Sequence, residues 1–105
     1  MEKESRKEII ITKRFRKDTD RVFHYLLSNF SSKIALLFLD KIQERIDLIS
    51  NHPAIGKPSP NHRNVRNIMV KPYNLLFYRY QDNKIIILCL FDMRSNPEKK
   101  LIKND

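Results

Sequence analysis

Residues 65–92 read VRNIMVKPYNLLFYRYQDNKIIILCLFD, and this stretch decides the fold. It holds three runs rich in Val, Ile, Leu, Phe and Tyr, at 65–70, 73–80 and 84–92. β-Branched and aromatic side chains suit a pleated, half-buried surface, so each run is predicted to be a strand. Lys71-Pro72 separates the first two. Asp82-Asn83 separates the last two, and both residue types tolerate the left-handed backbone of a two-residue hairpin turn. The run Ile85-Ile86-Ile87-Leu88-Cys89-Leu90-Phe91 is apolar throughout. That predicts an interior strand covered on both faces or nearly so.

Outward from this meander lies a loop over 54–64. It carries the chain's one glycine, Gly56, with Pro53, Pro58 and Pro60 around it. In a glycine-poor chain that placement predicts a turn at positive φ. Before the loop, Ala35, Phe38, Ile42, Ile46 and Ile49 recur at helical spacing and predict a helix over 33–50. Ser31 or Ser32 is its N-cap, and His52-Pro53 ends it. Leu36, Leu37 and Leu39 make the first half apolar on more than one side, so the helix should pack against both the sheet and a partner. A first helix is predicted over 15–29. Phe15, Val22, Leu26 and Phe30 line one side, with Arg16, Lys17, Asp18, Asp20 and Arg21 opposite. Residues 8–12 are predicted to form the first strand.

The order is β-α-α-β-β-β. Two consecutive helices followed by a meander imply an α+β fold, a helical hairpin on one face of a mainly antiparallel four-stranded sheet. The other face should be polar, small or used for binding. The 105 residues suffice for one domain, with 1–7 and about 98–105 as loosely ordered tails.

Composition narrows the function. Lys and Arg number 21 against 12 acids, a net charge of +9. So basic a domain calls for a polyanionic partner: RNA, DNA or an acidic protein. The single cysteine, Cys89, makes no internal disulfide, which fits a reducing cytoplasm. Its apolar setting predicts a buried thiol rather than a nucleophile. His24, His52 and His62 lack ligand spacing, so no metal and no cofactor is expected. No run approaches the roughly 18 apolar residues of a membrane span, so no membrane partner is expected either.

The segment Ile49-Ser50-Asn51-His52-Pro53-Ala54-Ile55-Gly56-Lys57 looks like the Leu/Ile–proline–glycine stretch of the RelE/ParE toxin superfamily. Val65-Arg66-Asn67-Ile68 is similar to its arginine-bearing strand. Lys71-Pro72-Tyr73-Asn74-Leu75-Leu76-Phe77-Tyr78 looks like its tyrosine-led strand. Asp92-Met93-Arg94-Ser95-Asn96-Pro97 resembles the end of its last strand. With the element order, the resemblance spans about residues 8–100. It implies a cytoplasmic bacterial toxin of a type II toxin–antitoxin pair. It also implies that the first strand pairs with the last. A cognate acidic antitoxin would fold on binding, within a complex that can be of higher order.

Two target classes occur in that superfamily. RelE-like members cut mRNA on the ribosome, and ParE-like members poison DNA gyrase. RNA cleavage through the 2′-hydroxyl needs an acid, a base and cations on the developing phosphorane charge. Residues 93–105 hold no Tyr and no His, and Met69 stands where the ribonucleases place a basic residue. The ParE-like reading is therefore preferred, and no catalytic residue is assigned. A small basic nucleic-acid-binding domain is the reading outside the superfamily. The target-binding candidates are Arg63, Arg66, Lys71, Arg79 and Arg94, and the antitoxin-binding candidates are Leu36, Leu37 and Leu39. Arg66 either points into the binding face or pairs with an acid such as Asp92. Tyr73, Tyr78 and Tyr80 either stack bases or pack the sheet. Lys99, Lys100 and Lys103 form a basic tail.

Overall fold

The computed structural model describes residues 7–94. The basic tail and Ser95-Asn96-Pro97 lie outside them. The elements are β1 (Glu8–Ile11), α1 (Lys13–Asn29), α2 (Ser32–Asn51), β2 (Lys57–Pro58), β3 (Val65–Val70), β4 (Asn74–Gln81) and β5 (Lys84–Asp92). The sheet has five strands in the order β1-β5-β4-β3-β2, one more than expected. The extra strand, β2, is a two-residue edge inside the predicted loop, pairing Lys57 with Asn67 and Pro58 with Arg66. β1 runs parallel to β5, Glu8 opposite Lys84 through Ile11 opposite Ile87, and the other pairs are antiparallel. The first strand thus pairs with the last, as the resemblance implied.

Both helices start where a side-chain oxygen accepts from an open backbone amide. The Thr12 hydroxyl accepts from the Phe15 amide at 3.0 Å and the Ser31 hydroxyl from the Ile34 amide at 3.1 Å. Thr12 therefore ends the strand and starts α1 two residues earlier than predicted. The inner stripe of α2, Ala35, Phe38, Ile42, Ile46 and Ile49, is buried as expected. They pack with Phe15, Val70, Leu76, Tyr78, Ile85, Ile87 and Leu90 in the main core between helices and sheet.

Two expectations about side chains are overturned, and a third is narrowed. Phe30 lies past the last turn as the C-cap of α1, off the helical backbone, and is 60% exposed. Asp18, placed on the polar side of α1, is buried. It lies three residues after Phe15, on the same helical face. The sheet face away from the helices is neither polar nor small: Val65, Phe77, Cys89 and Phe91 form a second buried apolar cluster on it.

The buried carboxylate answers a defect in the sheet. The pairing of β4 with β5 shifts register between Phe77 and Tyr78, so Leu88 bulges out of the ladder. Asp18 accepts from the Leu90 amide at 3.0 Å, supplying a partner beside the bulge. Its other oxygen accepts from Arg21 at 2.9 Å. The Thr12 hydroxyl donates to the carbonyls of Ile87 and Leu88, both at 2.9 Å. One end of α1 is thus fastened to the bulge, where an unmet backbone group would cost about 1–3 kcal/mol. The Asp82-Asn83 turn is left-handed at both residues, φ 53° and 63°, as a tight hairpin of this kind requires.

Candidate functional site

Arg66 shares a strand face with Ile68 and Val70, the face turned towards the helices. Its guanidinium neither points into an open binding face nor pairs with Asp92. It donates to the carbonyls of Ala54 at 3.0 Å and Gly56 at 2.7 Å. Tyr78 completes this clasp. Its ring is fully buried, and its hydroxyl donates to the Pro53 carbonyl at 2.7 Å while accepting from the Gly56 amide at 2.9 Å. Burial raises the Tyr78 phenol above its usual range, against smaller lowering effects from the Gly56 amide and the Arg66 charge, so the hydroxyl stays a donor. Among the described residues no glycine has positive φ, which corrects the expectation for Gly56. The position needs glycine for space: a Cβ there would sit 2.6 Å from the Tyr78 oxygen and 2.9 Å from the Asn67 carbonyl.

The remaining cations fall at two ends of the sheet. At one end, Arg63 and Arg79 line the same open cleft of 690 Å³, between the 61–64 loop and the Asp82-Asn83 turn. His62, Asn64 and Asp82 are also on its walls. The loop is docked on the sheet: the Tyr80 amide donates to the Asn64 carbonyl at 3.0 Å and the Val65 amide to the His62 carbonyl at 3.3 Å. Asn64 is itself left-handed, φ 61°.

Lys71 and Arg94 lie at the other end, roughly 20 Å along β4 at about 3.3 Å per residue. Arg94 is gripped on two sides. Its backbone amide and Nε donate to Asp92 Oδ1 at 2.9 and 3.0 Å, and a terminal nitrogen donates to Oδ2 at 2.8 Å. The guanidinium carbon stands 4.4 Å from the Tyr73 ring centroid. Hydrogen bonding to Asp92 holds its proton still more firmly than usual. The pair is exposed, so it fixes geometry more than it adds stability. Tyr73 is 46% exposed and is therefore available for stacking, whereas Tyr78 and Tyr80 pack on the main core. Lys71 is exposed.

The antitoxin candidates are open to solvent, Leu36 at 55%, Leu37 at 50% and Leu39 at 36% exposed. Tyr25, Leu27, Phe30 and Ile34 extend this apolar surface around the tip of the hairpin. Exposed apolar side chains gathered in this way are the kind of surface that a partner covers. Sequence reasoning missed Asp18 and Thr12, the residues that secure the bulge. It treated the charge of Asp18 as an outward signal, although the three-residue step from Phe15 placed it inside. No helix among the described residues is long and apolar enough to cross a membrane.

A family model described as the ParE toxin of type II toxin–antitoxin system, parDE, matches residues 9–97. Toxin ParE3 of Caulobacter vibrioides is 31% identical over 96 residues, covering 90% of this chain and 95% of that protein. Among solved structures, the chromosomal ParDE toxin–antitoxin system from P. aeruginosa superposes with a TM-score of 0.70 at 18% identity, over 82% of this chain and 95% of that one. The toxin–antitoxin complex RelBE2 from Mycobacterium tuberculosis superposes with a TM-score of 0.57 at 16% identity, over 84% and 99%. At these identities the two structures bear on the fold.

Proposed function

The chain belongs to the ParE toxin family of type II toxin–antitoxin systems, and from that premise we propose that it stops growth by binding and poisoning DNA gyrase. The family match over residues 9–97 carries this reading. The disposition of the cations supports it. Arg66 is committed to the backbone of the 53–56 loop, and Arg94 to Asp92. Phosphorane chemistry asks for cations converging on one point beside an acid and a base. Here Arg63 and Arg79 lie at one end of the sheet, and Lys71 and Arg94 at the other. Such a spread suits contact with a large partner surface.

A cognate acidic antitoxin neutralises the toxin by covering the hairpin tip, with Leu36, Leu37 and Leu39 as its apolar footing and the +9 charge drawing it in. The setting is the cytoplasm, where both partners are made.

The test is pulse-labelling of DNA and protein synthesis after controlled induction in bacteria, with a gyrase supercoiling assay on purified toxin. DNA synthesis should fall first, and supercoiling should stop at stoichiometric toxin. A prior halt in protein synthesis, with cleaved mRNA in translating extracts and unaffected gyrase, assigns the toxin to the ribosome instead.

A further inference from the structure

We propose that the cleft between the 61–64 loop and the Asp82-Asn83 turn is a binding site for nucleic-acid phosphate, with Arg63 and Arg79 as its anion-holding groups. This goes beyond the gyrase reading, which does not require the toxin to touch nucleic acid itself.

Most of the described arginines are engaged: Arg14 and Arg21 lie against Asp18, Arg45 donates to the Met69 carbonyl, Arg66 holds the 53–56 loop and Arg94 is locked to Asp92, while Arg16 is exposed on α1. Arg63 and Arg79 line one cleft, yet neither guanidinium has a hydrogen-bonding or ion-pair partner among the described residues. Two like charges on one concavity repel each other, and an anion between them reverses the sign of that interaction. The guanidinium fork matches a phosphate's oxygens, and the side-chain amides of Asn61, Asn64 and Gln81 on the same walls can add neutral donors. Asp82 is the one carboxylate on the cleft, so cations outnumber it two to one.

Shape and stiffness agree with this chemistry. A cleft of 690 Å³ is of the size that holds a nucleotide-sized ligand. It is open, so a polymer can enter and leave without threading. Its walls are set in advance: the Asn64 carbonyl receives the Tyr80 amide, the Asn61 amide donates to the Ser59 hydroxyl at 3.3 Å, and three left-handed residues, Asn64, Asp82 and Asn83, shape the two loops. Preset walls lower the ordering cost of binding. The net charge of +9 supplies the long-range attraction.

The test is fluorescence anisotropy of the full chain with labelled 12-nucleotide single strands of DNA and of RNA, titrated at 50 and 200 mM salt. The cleft variant is Arg63→Gln/Arg79→Gln. The control is Lys33→Gln/Lys41→Gln, which removes the same charge from exposed positions of α2. Each single-strand phosphate contact contributes about 0.7 to the salt slope, so two contribute about 1.4. Between the two salt concentrations, wild-type affinity should fall about sevenfold more than that of the cleft variant, and the control should follow wild type. Binding by only one of the two strands supports the proposal and names the source of the phosphate. Equal losses in cleft variant and control, equal competition by polyglutamate, or no binding at 50 mM salt overturns it. Should the double variant fail to fold, Arg63→Gln alone, in an exposed loop, must lower the slope by about 0.7.

Discussion

Replacing Tyr78 by phenylalanine removes one oxygen from the interior and leaves the ring in place. That oxygen donates to the Pro53 carbonyl at 2.7 Å and accepts from the Gly56 amide at 2.9 Å. Gly56 is buried and Pro53 partly so. An unmet buried backbone group costs about 1–3 kcal/mol, and the Pro53 carbonyl, nearer water, belongs at the low end. The expected loss is about 2–4 kcal/mol, a large share of the stability of a domain this size. It corresponds to a Tm lowered by about 10–25 °C. Urea unfolding should show a lower midpoint with an unchanged slope, since the surface exposed on unfolding is the same. A second substitution sharpens the test. Gly56→Ala places its Cβ 2.6 Å from the Tyr78 oxygen in the wild type. In the Tyr78→Phe background that closest clash is gone, so Gly56→Ala should destabilise less there. A change under about 0.5 kcal/mol for Tyr78→Phe, or strict additivity of the pair, would refute the clasp as the element that holds the loop.

Three further outcomes are expected. Asp18→Ala should destabilise by about 1–3 kcal/mol and speed hydrogen exchange at the Leu90 amide above all, because that amide loses its acceptor; uniform acceleration across β5 would argue against a local role. Burial pushes the Cys89 thiol up to about 11 from 9.0, so it is held protonated in the fold while the unfolded chain ionises. Stability from this source is full below pH 9 and declines towards pH 11, by roughly 2–3 kcal/mol in all, and Cys89→Ala should flatten that part of the alkaline profile in chemical unfolding. Leu36→Asp and Leu37→Asp should each weaken antitoxin binding about 10-fold or more in calorimetric titration, through lost apolar burial and repulsion of an acidic partner, with Tm changed little because both side chains are half exposed.

The legible parts of the sequence were those with a local pattern. The stripe of α2 recurs every three to four residues, the three strand runs are rich in β-branched and aromatic side chains, and each lies where that pattern puts it. Chemistry specific to a local conformation was legible too, as at Asp82-Asn83. What escaped were residues whose role depends on a distant partner. Gly56 is glycine because of a tyrosine 22 residues later in the chain. Arg66 looked like a surface cation because nothing in its neighbourhood reveals carbonyls turned towards it from the 53–56 loop. Asp18 was misplaced because an acid at an inward position makes sense only once the β5 bulge is known. The β2 edge, two residues with a proline, has too little pattern to stand out from a loop. The cleft between the 61–64 loop and the 82–83 turn was likewise hidden, since Arg63 and Arg79 meet only through the pairing of β3 with β4.

The parallel pairing of β1 with β5 has a consequence for how the protein is made. Glu8 finds Lys84, Thr12 reaches a carbonyl 76 residues away, and Asp18 an amide 72 residues away. Every one of these contacts joins the beginning of the chain to its last strand. During synthesis the first strand and first helix emerge early and stay without their docking surface until β5 has left the exit tunnel. Contacts of such high sequence separation also form slowly. The strand, cap and carboxylate at residues 8–18 therefore wait for β5 before the fold can close.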